Sequence, residues 1–337
     1  MEGNLICIHL LDRFRYGGAE RVALAYQDTL NEMKGIISFV YAIMDPERKS
    51  ERNVYLFKNH LIMFFHLLKK IRKSGYLFFC HTTKTIFICC LLKIFFFDKV
   101  NIIYVRHFQY TRLTKIIFSL LSIFIRKAVL ITPAEKNIAE KIFRDKVYYI
   151  NNYINHEMIQ QNSLKEKIKL WSEGRKIVAF AGGMKKGKNT VHLLELAKVL
   201  GIKEYCYLYI GDGPEREEVQ RFHEANKTFL EGAVYYCGFR NDVLSILKEA
   251  QYFFFPSWNN YEMMPMVLLE ALEANCLCFA YKMNVNKFIL PEENLFEFKD
   301  YRSITEAVRN MKIVRTQNPF NAQYGKEKLE ELINFIR

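Results

Sequence analysis

Short apolar runs alternate with longer amphipathic stretches along almost the whole chain. Strand-length apolar runs lie at 5–10, 36–43, 76–80, 101–105, 128–131 and 147–150. The second half repeats them at 176–180, 205–210, 233–236, 252–255 and 277–280. A strand that is apolar on both sides must be covered on both faces, so the pattern predicts parallel sheets with helices on either side. Between 151 and 175 the apolar periodicity fades, and the polar stretch from His156 to Lys167 reads as a linker. Residues 327–337 carry the spacing of an amphipathic helix. No repeat or low-complexity segment interrupts the order.

At 337 residues the chain exceeds what one hydrophobic core usually organises, and two domains are expected, 1–160 and 161–319. Half the residues are hydrophobic, enough for two buried sheets. The formal charge of +13 is uneven: residues 51–127 hold fourteen Lys and Arg against two acids, Glu51 and Asp98. In this block, 60–73 and 112–127 combine apolar runs with cationic ends. Such segments suit the surface of an anionic bilayer, where each basic residue adds about 1 kcal/mol. Nucleic acid is not expected, since no groove-reading motif accompanies the charge. No apolar run reaches the ~18 residues of a spanning helix, the longest (85–97) being broken by Lys93. The first residues lack the basic start and cleavage site of a signal peptide and read as a strand. The eight cysteines form no C-x2-C pair, which predicts buried thiols in a reducing cytosol rather than zinc ligands or disulfides.

The chemistry concentrates between 255 and 272. An apolar strand ends at Phe255; Pro256 and Ser257 turn the chain; Glu262 follows in a loop; Pro265 opens a helix that carries Glu270. Proline is preorganised for a helix start, and a helix opening at the carboxyl end of a strand is a natural seat for phosphate. An acid beside a seated phosphate suits a nucleotide whose attached group reacts nearby.

With these residues the chain resembles glycosyltransferase family 4, of the bacterial cell-surface polysaccharide and lipopolysaccharide type. The matching positions are Pro256, Ser257, Glu262 and Met266 to Ala271. Further matches follow in the family's order: Tyr16 to Val22, Val105 to His107, Ala181 to Met184 with Lys188 and Asn189, Ile210 to Pro214, and Cys237 to Asp242. The resemblance is dense from about 177 to 280 and sparse before. It implies an α/β GT-B fold, two Rossmann-like doubly wound domains facing a central cleft. The first would bind acceptor and the second the nucleotide-sugar donor, with the helix over 320–337 packing back on the first.

For individual residues, the resemblance implies that Glu262, His107 and Lys188 serve catalysis at the donor sugar and its diphosphate. Glu270 would hold the ribose, and Phe239 and Arg240 the base. Gly17, Gly18 and Gly183 would allow close approach, with Met263, Met264, Pro265 and Met266 forming the phosphate-facing turn. Asp212 is expected to cap the next helix, with a nucleotide contact as its second reading. His81 also ends a strand and is a weaker sugar-contacting candidate. Three positions depart from the family: Gly183 replaces its arginine, with Lys185 or Lys186 as stand-ins; Met263 replaces a small residue; and the loop from Trp258 to Tyr261 is two residues longer.

The expectation is a retaining glycosyltransferase taking a UDP- or GDP-linked sugar to a lipid-linked or polysaccharide acceptor, peripheral at the cytoplasmic membrane face. The chain has no Asp-x-Asp pair, so no metal and no other cofactor are expected. The alternatives are a sugar-nucleotide epimerase, or a membrane-associated scaffold that keeps a nucleotide pocket without catalysis.

Overall fold

In a computed structural model the described residues are 4–14, 17–45, 53–72, 74–107, 109–155, 163–258 and 262–336. The expected domain boundary at 160 and most of the polar run after His156 lie outside them. The described chain forms two compact units, 4–155 with 322–336, and 163–321.

The first unit is a seven-stranded parallel sheet. Its strands are β1 (Leu5–Arg13), β2 (Ile36–Ile43), β3 (Val54–Phe57), β4 (Tyr76–Cys80), β5 (Val100–Arg106), β6 (Ile125–Leu130) and β7 (Val147–Tyr149), in the order β3-β2-β1-β4-β5-β6-β7. The second unit is a six-stranded parallel sheet of β8 (Lys176–Ala181), β9 (Tyr205–Ile210), β10 (Val234–Tyr236), β11 (Tyr252–Phe255), β12 (Leu277–Tyr281) and β13 (Leu295–Phe296), ordered β10-β9-β8-β11-β12-β13. The strand runs read from the sequence all appear. Two short edge strands, β3 and β13, were not legible.

Parallel strands need crossover connections, and these are right-handed. The steps from β3 through β6 therefore put the helices His60–Ile71, Thr83–Phe95 and Arg112–Leu121 on one face of the first sheet. The packing agrees: Met63, Leu67 and Ile71 share a core with Ile86, Cys89, Leu92 and Phe118. Each helix starts on a side-chain cap. Asn59 accepts from Ile62 N, and Thr82 with Thr85 and Thr111 with Thr114 form reciprocal capping boxes. The basic segment 112–127 is helical only to Leu121. Beyond it β6 begins, and Lys127 is buried with its ammonium 3.9 Å from the Phe335 ring and donating to Asp145 O. The polar stretch called a linker is a linker only in part, because Lys165–Ser172 is a helix of the second unit. Ile168 is buried there and Trp171 packs 5.3 Å from Tyr235.

The terminal helix begins at Ala322, five residues earlier than its periodicity suggests, and packs on the other face of the first sheet beside the helix Gly18–Asn31. The Tyr324 hydroxyl donates to Asn151 Oδ1 and accepts from Asn151 N. Gly325 lies directly on Tyr153, whose hydroxyl donates to Ala25 O and meets the Thr29 hydroxyl at 2.8 Å. A Cβ at 325 would come within 2.3 Å of that ring, and the ring cannot retreat without breaking its buried bonds. Gly325→Ala is therefore expected to cost about 1–3 kcal/mol as an overpacked site. Urea unfolding of the first unit reads this directly, and an unchanged midpoint would mean that the helix is not docked this way in solution.

Candidate active site

In the second unit the chain runs from β8 outward to β9 and β10, then returns to β11 on the other side of β8. Such a reversal leaves a crevice at the carboxyl ends of the two central strands, where open α/β sheets hold ligands. Both loops that carry the strongest sequence candidates start there.

The loop after β8 is fixed by backbone contacts to the loop after β9. Gly182 N donates to Ile210 O, Met184 N to Asp212 O, and Glu215 N to Met184 O, all at 2.9 Å. Gly211 and Gly213 make this possible. They have φ of +140° and +153°, and a Cβ on either would lie 2.1 or 2.4 Å from the carbonyl oxygen of Gly182 or Met184. Gly183 is different. Nothing rigid crowds it, and its added Cβ would meet the Cε of Lys185 at 3.2 Å. The Lys185 side chain lies against the spot from which an arginine would project, and both Lys185 and Lys186 are exposed.

Lys188 follows in the same loop and is 8% exposed. Its ammonium makes an ion pair with the Glu262 carboxylate and lies 5.6 Å from the Phe255 ring. Burial, with repulsion from Lys185 added, pushes the Lys188 ammonium down to about 7. The two loops are stitched together by Asn189 Nδ2, which donates to Pro256 O at 2.8 Å, and by Trp258 N, which donates to Gly187 O. The structure thus brings Lys188 and Glu262 into contact, 74 positions apart in sequence. Residues 259–261 of the lengthened loop lie outside the described residues.

Pro265 is the residue before the helix Met266–Glu273, with extended backbone, and not its first turn as the sequence suggested. Met263, Met264, Pro265 and Met266 are all buried. Glu270 is 1% exposed. That excludes an ordinary solvated helix glutamate, because a carboxylate in such a place is costly without polar partners.

A further expectation, the helix cap at Asp212, is corrected. Asp212 does not cap the following helix: its carboxylate accepts from Gly213 N and from Arg216, both at 2.8 Å, and no side chain caps Arg216–Ala225. Arg240 is held by a two-pronged bond to Asp242 (2.7 and 2.6 Å) and a third to Ser163, so its guanidinium braces the loop after β10. Burial opposes ionisation of Asp242, but the Arg240 fork outweighs it and holds the carboxyl below its usual range. The neighbouring Phe239 is exposed and offers a ring face. Gly18 is the first residue of its helix, with Gly17 before it. A Cβ on Gly18 meets nothing within 4 Å, and one on Gly17 meets only the flexible end of Glu20. Tyr16 lies outside the described residues.

In the first unit the reversal falls between β1 and β4. His81 sits at the end of β4, and His107 directly follows β5. Sequence reasoning missed His9, which reads as one polar residue in an apolar strand. It is fully buried on β1, with Nδ1 3.1 Å from His81 Nε2; His81 Nδ1 in turn lies 2.9 Å from His107 Nε2. Arg106, before His107, turns the other way: it pairs with Glu135, donates to the Tyr104 hydroxyl and stacks 3.3 Å over Tyr110.

Residues 161–328 match the family model described as Glycosyl transferases group 1. A curated relative, the Escherichia coli UDP-Gal:alpha-D-GlcNAc-diphosphoundecaprenol alpha-1,3-galactosyltransferase, is 27% identical over 157 residues. The match covers 44% of this chain and 40% of that protein, so the chain spans less than half the length of the relative it matches. Among solved structures, HepE of Anabaena in complex with UDP and glucose superposes with a TM-score of 0.79 at 14% identity, covering 98% of this chain and 100% of that one. Sucrose-phosphate synthase from Thermosynechococcus elongatus gives 0.73 at 15%, covering 99% of each chain. The chain has the α/β GT-B fold of two parallel-sheet domains, and its residues 161–328 are similar to the glycosyl transferases group 1 model.

Proposed function

We propose that the protein is a retaining glycosyltransferase that moves a sugar from a nucleotide diphosphate to a lipid-linked or polysaccharide acceptor. The observation that carries this reading is the buried Lys188–Glu262 pair at the switch point of the second sheet. As the bond from the sugar to the diphosphate breaks, its electron pair goes to the departing phosphate. A nearby cation stabilises that charge most where water is excluded. Lys188 supplies the cation and Lys185 a second one, in the place of the missing arginine, so no metal is required. Glu262 faces the positive charge that develops on the sugar carbon. Glu270 binds the ribose, Phe239 stacks on the base, and His107 in the first unit contacts the sugar. With no nucleophilic carboxylate assigned, the acceptor hydroxyl attacks on the face from which the diphosphate leaves and passes its proton to the departing phosphate oxygen. The solved structure of HepE with UDP and glucose favours a UDP-linked donor, and the galactosyltransferase relative favours an undecaprenyl-diphosphate acceptor.

A donor panel tests the site without an acceptor. In EDTA, one UDP-sugar at ~100 times its Kd should stabilise the protein by about 2.7 kcal/mol in thermal unfolding; no response to any nucleotide would count against the reading. The pH dependence is specific. Lys188 is charged below about 7 and loses its proton above it, while the diphosphate of a sugar nucleotide has no titrating group near neutrality. Affinity should therefore be flat below pH 7 and fall above it, with proton uptake visible by calorimetry in buffers of different ionisation enthalpy. Glu262→Gln should lower kcat on the order of 10²–10³-fold and shift that fall in affinity to lower pH. A variant with wild-type kcat would remove Glu262 from the chemistry.

The acceptor side rests on the outer face of the first unit's helices. Leu113, Ile116 and Leu120 form an exposed stripe along Arg112–Leu121, and Phe87, Leu91, Ile94 and Phe95 expose another along Thr83–Phe95. No helix among the described residues is long and apolar enough to cross a membrane. Exposed apolar stripes in a block so rich in lysine and arginine fit peripheral docking on an anionic leaflet, at the cytoplasmic face. The protein should co-sediment with vesicles containing phosphatidylglycerol and not with pure phosphatidylcholine. Ile116→Glu with Leu120→Glu should weaken that binding severalfold, and equal binding by the variant would sink the assignment.

A further inference from the structure

The three histidines of the first unit form one row. β1, β4 and β5 are consecutive in the sheet, so His9, His81 and His107 stand one strand apart. Their ring centroids are 5.4 and 5.1 Å apart, and both links are of hydrogen-bond length. Burial pushes His9 down to about 3, His81 well below its usual value, and His107 to about 3, with the Arg106 charge adding to the effect on His107. All three are therefore neutral near pH 7.

A neutral imidazole has one donor and one acceptor nitrogen. In a row of three, each link consumes one of each, so all the protons must point the same way. If they point inward, the row ends on a His9 Nε2–H donor. If they point outward, it ends on a bare His9 Nε2 lone pair, and His107 carries its proton on Nδ1. His9 Nε2 is buried and has no hydrogen-bond partner among the described residues. Its ring is stacked on Phe79 at 4.6 Å and faces the edge of Tyr26. An orphaned buried N–H is rarer in folded proteins than an under-used acceptor, so the apolar end of the row favours the outward arrangement.

We propose that His9 and His81 are positioning residues that lock His107 in its Nδ1–H tautomer, so that it meets substrate as a neutral hydrogen-bond donor. Nε2 of His107 is spent on His81, and Nδ1 is the nitrogen left to face a sugar oxygen. The proposal rests on the reading that His107 contacts the sugar. Among the described residues, Tyr26 stands beside His9 and His81, and the Arg106 charge bears on His107 although its guanidinium turns away to Glu135.

The test is the tautomer itself, read from long-range proton–nitrogen correlations in 15N-histidine-labelled protein. His107 should show a protonated Nδ1 and a bare Nε2, and should not titrate in the ordinary imidazole range. In His81→Phe the row is cut: His107 should become a tautomer mixture with its pKa raised towards normal. In that variant kcat should fall by up to about tenfold, the worth of one neutral hydrogen bond, with the donor KM unchanged. His81→Gln, which keeps a donor and an acceptor, should recover part of both effects. An Nε2–H tautomer for His107 in the wild-type protein overturns the proposal, and so does a folded His81→Phe with unaltered tautomer and kcat. Should no sugar transfer be found, the wild-type spectrum still decides the tautomer, and that failure belongs to the activity assigned above.

Discussion

Every strand in both sheets runs the same way, and most of what matters in this molecule follows from that constraint. Parallel neighbours cannot be joined by tight turns, so each connection travels back over a face through a helix. All the loops that leave strand ends then gather at one edge of each sheet. Where the direction of winding reverses, two such loops part and leave a crevice. In the second unit those loops carry Lys188 and Glu262; in the first, the strands flanking the reversal carry His9 and His81. Residues far apart in sequence meet because the topology leaves their loops nowhere else to go.

The two crevices use opposite electrostatic devices. In the second unit a buried lysine is paired with a carboxylate. The burial makes its proton easy to lose and the pair makes it worth keeping. Removing one partner from such a pair leaves an uncompensated charge, which is why these contacts are more sensitive than surface bridges. The first unit lies in the most basic part of the chain, yet its central row is uncharged. Three imidazoles satisfy one another's inner nitrogens, and burial keeps protons off them. A positive charge placed there would add to an already cationic surround. A neutral donor does not.

The sequence made the repeating layers readable because buried strands are apolar on both sides and stand out as short runs. β13 escaped because two residues make no pattern, and β3 because an edge strand has one neighbour and its flank, Glu51 to Asn53, is polar. The helix Lys165–Ser172 escaped because it buries little beyond Ile168 and Ser172, so its composition looks like that of a connection. Among the site residues, Glu262, Lys188 and His107 were visible through local motifs. His9 was not, since its importance lies in a partner 72 positions away. The helix cap expected of Asp212 was misread for a related reason. A motif says which residues stand together in sequence, whereas the choice between ligand and brace is made by neighbours such as Arg216 and Asp242.

The absent arginine at Gly183 shows how far geometry can go where a motif breaks. Gly211 and Gly213 press on the backbone of Gly182 and Met184, so the path of the loop after β8 is set by contacts that no side chain at 183 could alter. Gly183 itself is under no such pressure, and its glycine is not demanded by its backbone. The loop therefore keeps its shape with or without the arginine, and the question reduces to where positive charge is delivered. Lys185 lies beside Gly183 and its charge bears on Lys188, and for that reason Lys185 takes the arginine's place in the proposed mechanism. A lysine there supplies a point charge without the planar two-pronged grip of a guanidinium. On the proposed function, the substitution would keep the electrostatics of a phosphate site while giving up its rigidity, with Lys188, paired to Glu262, the more sharply positioned of the two cations.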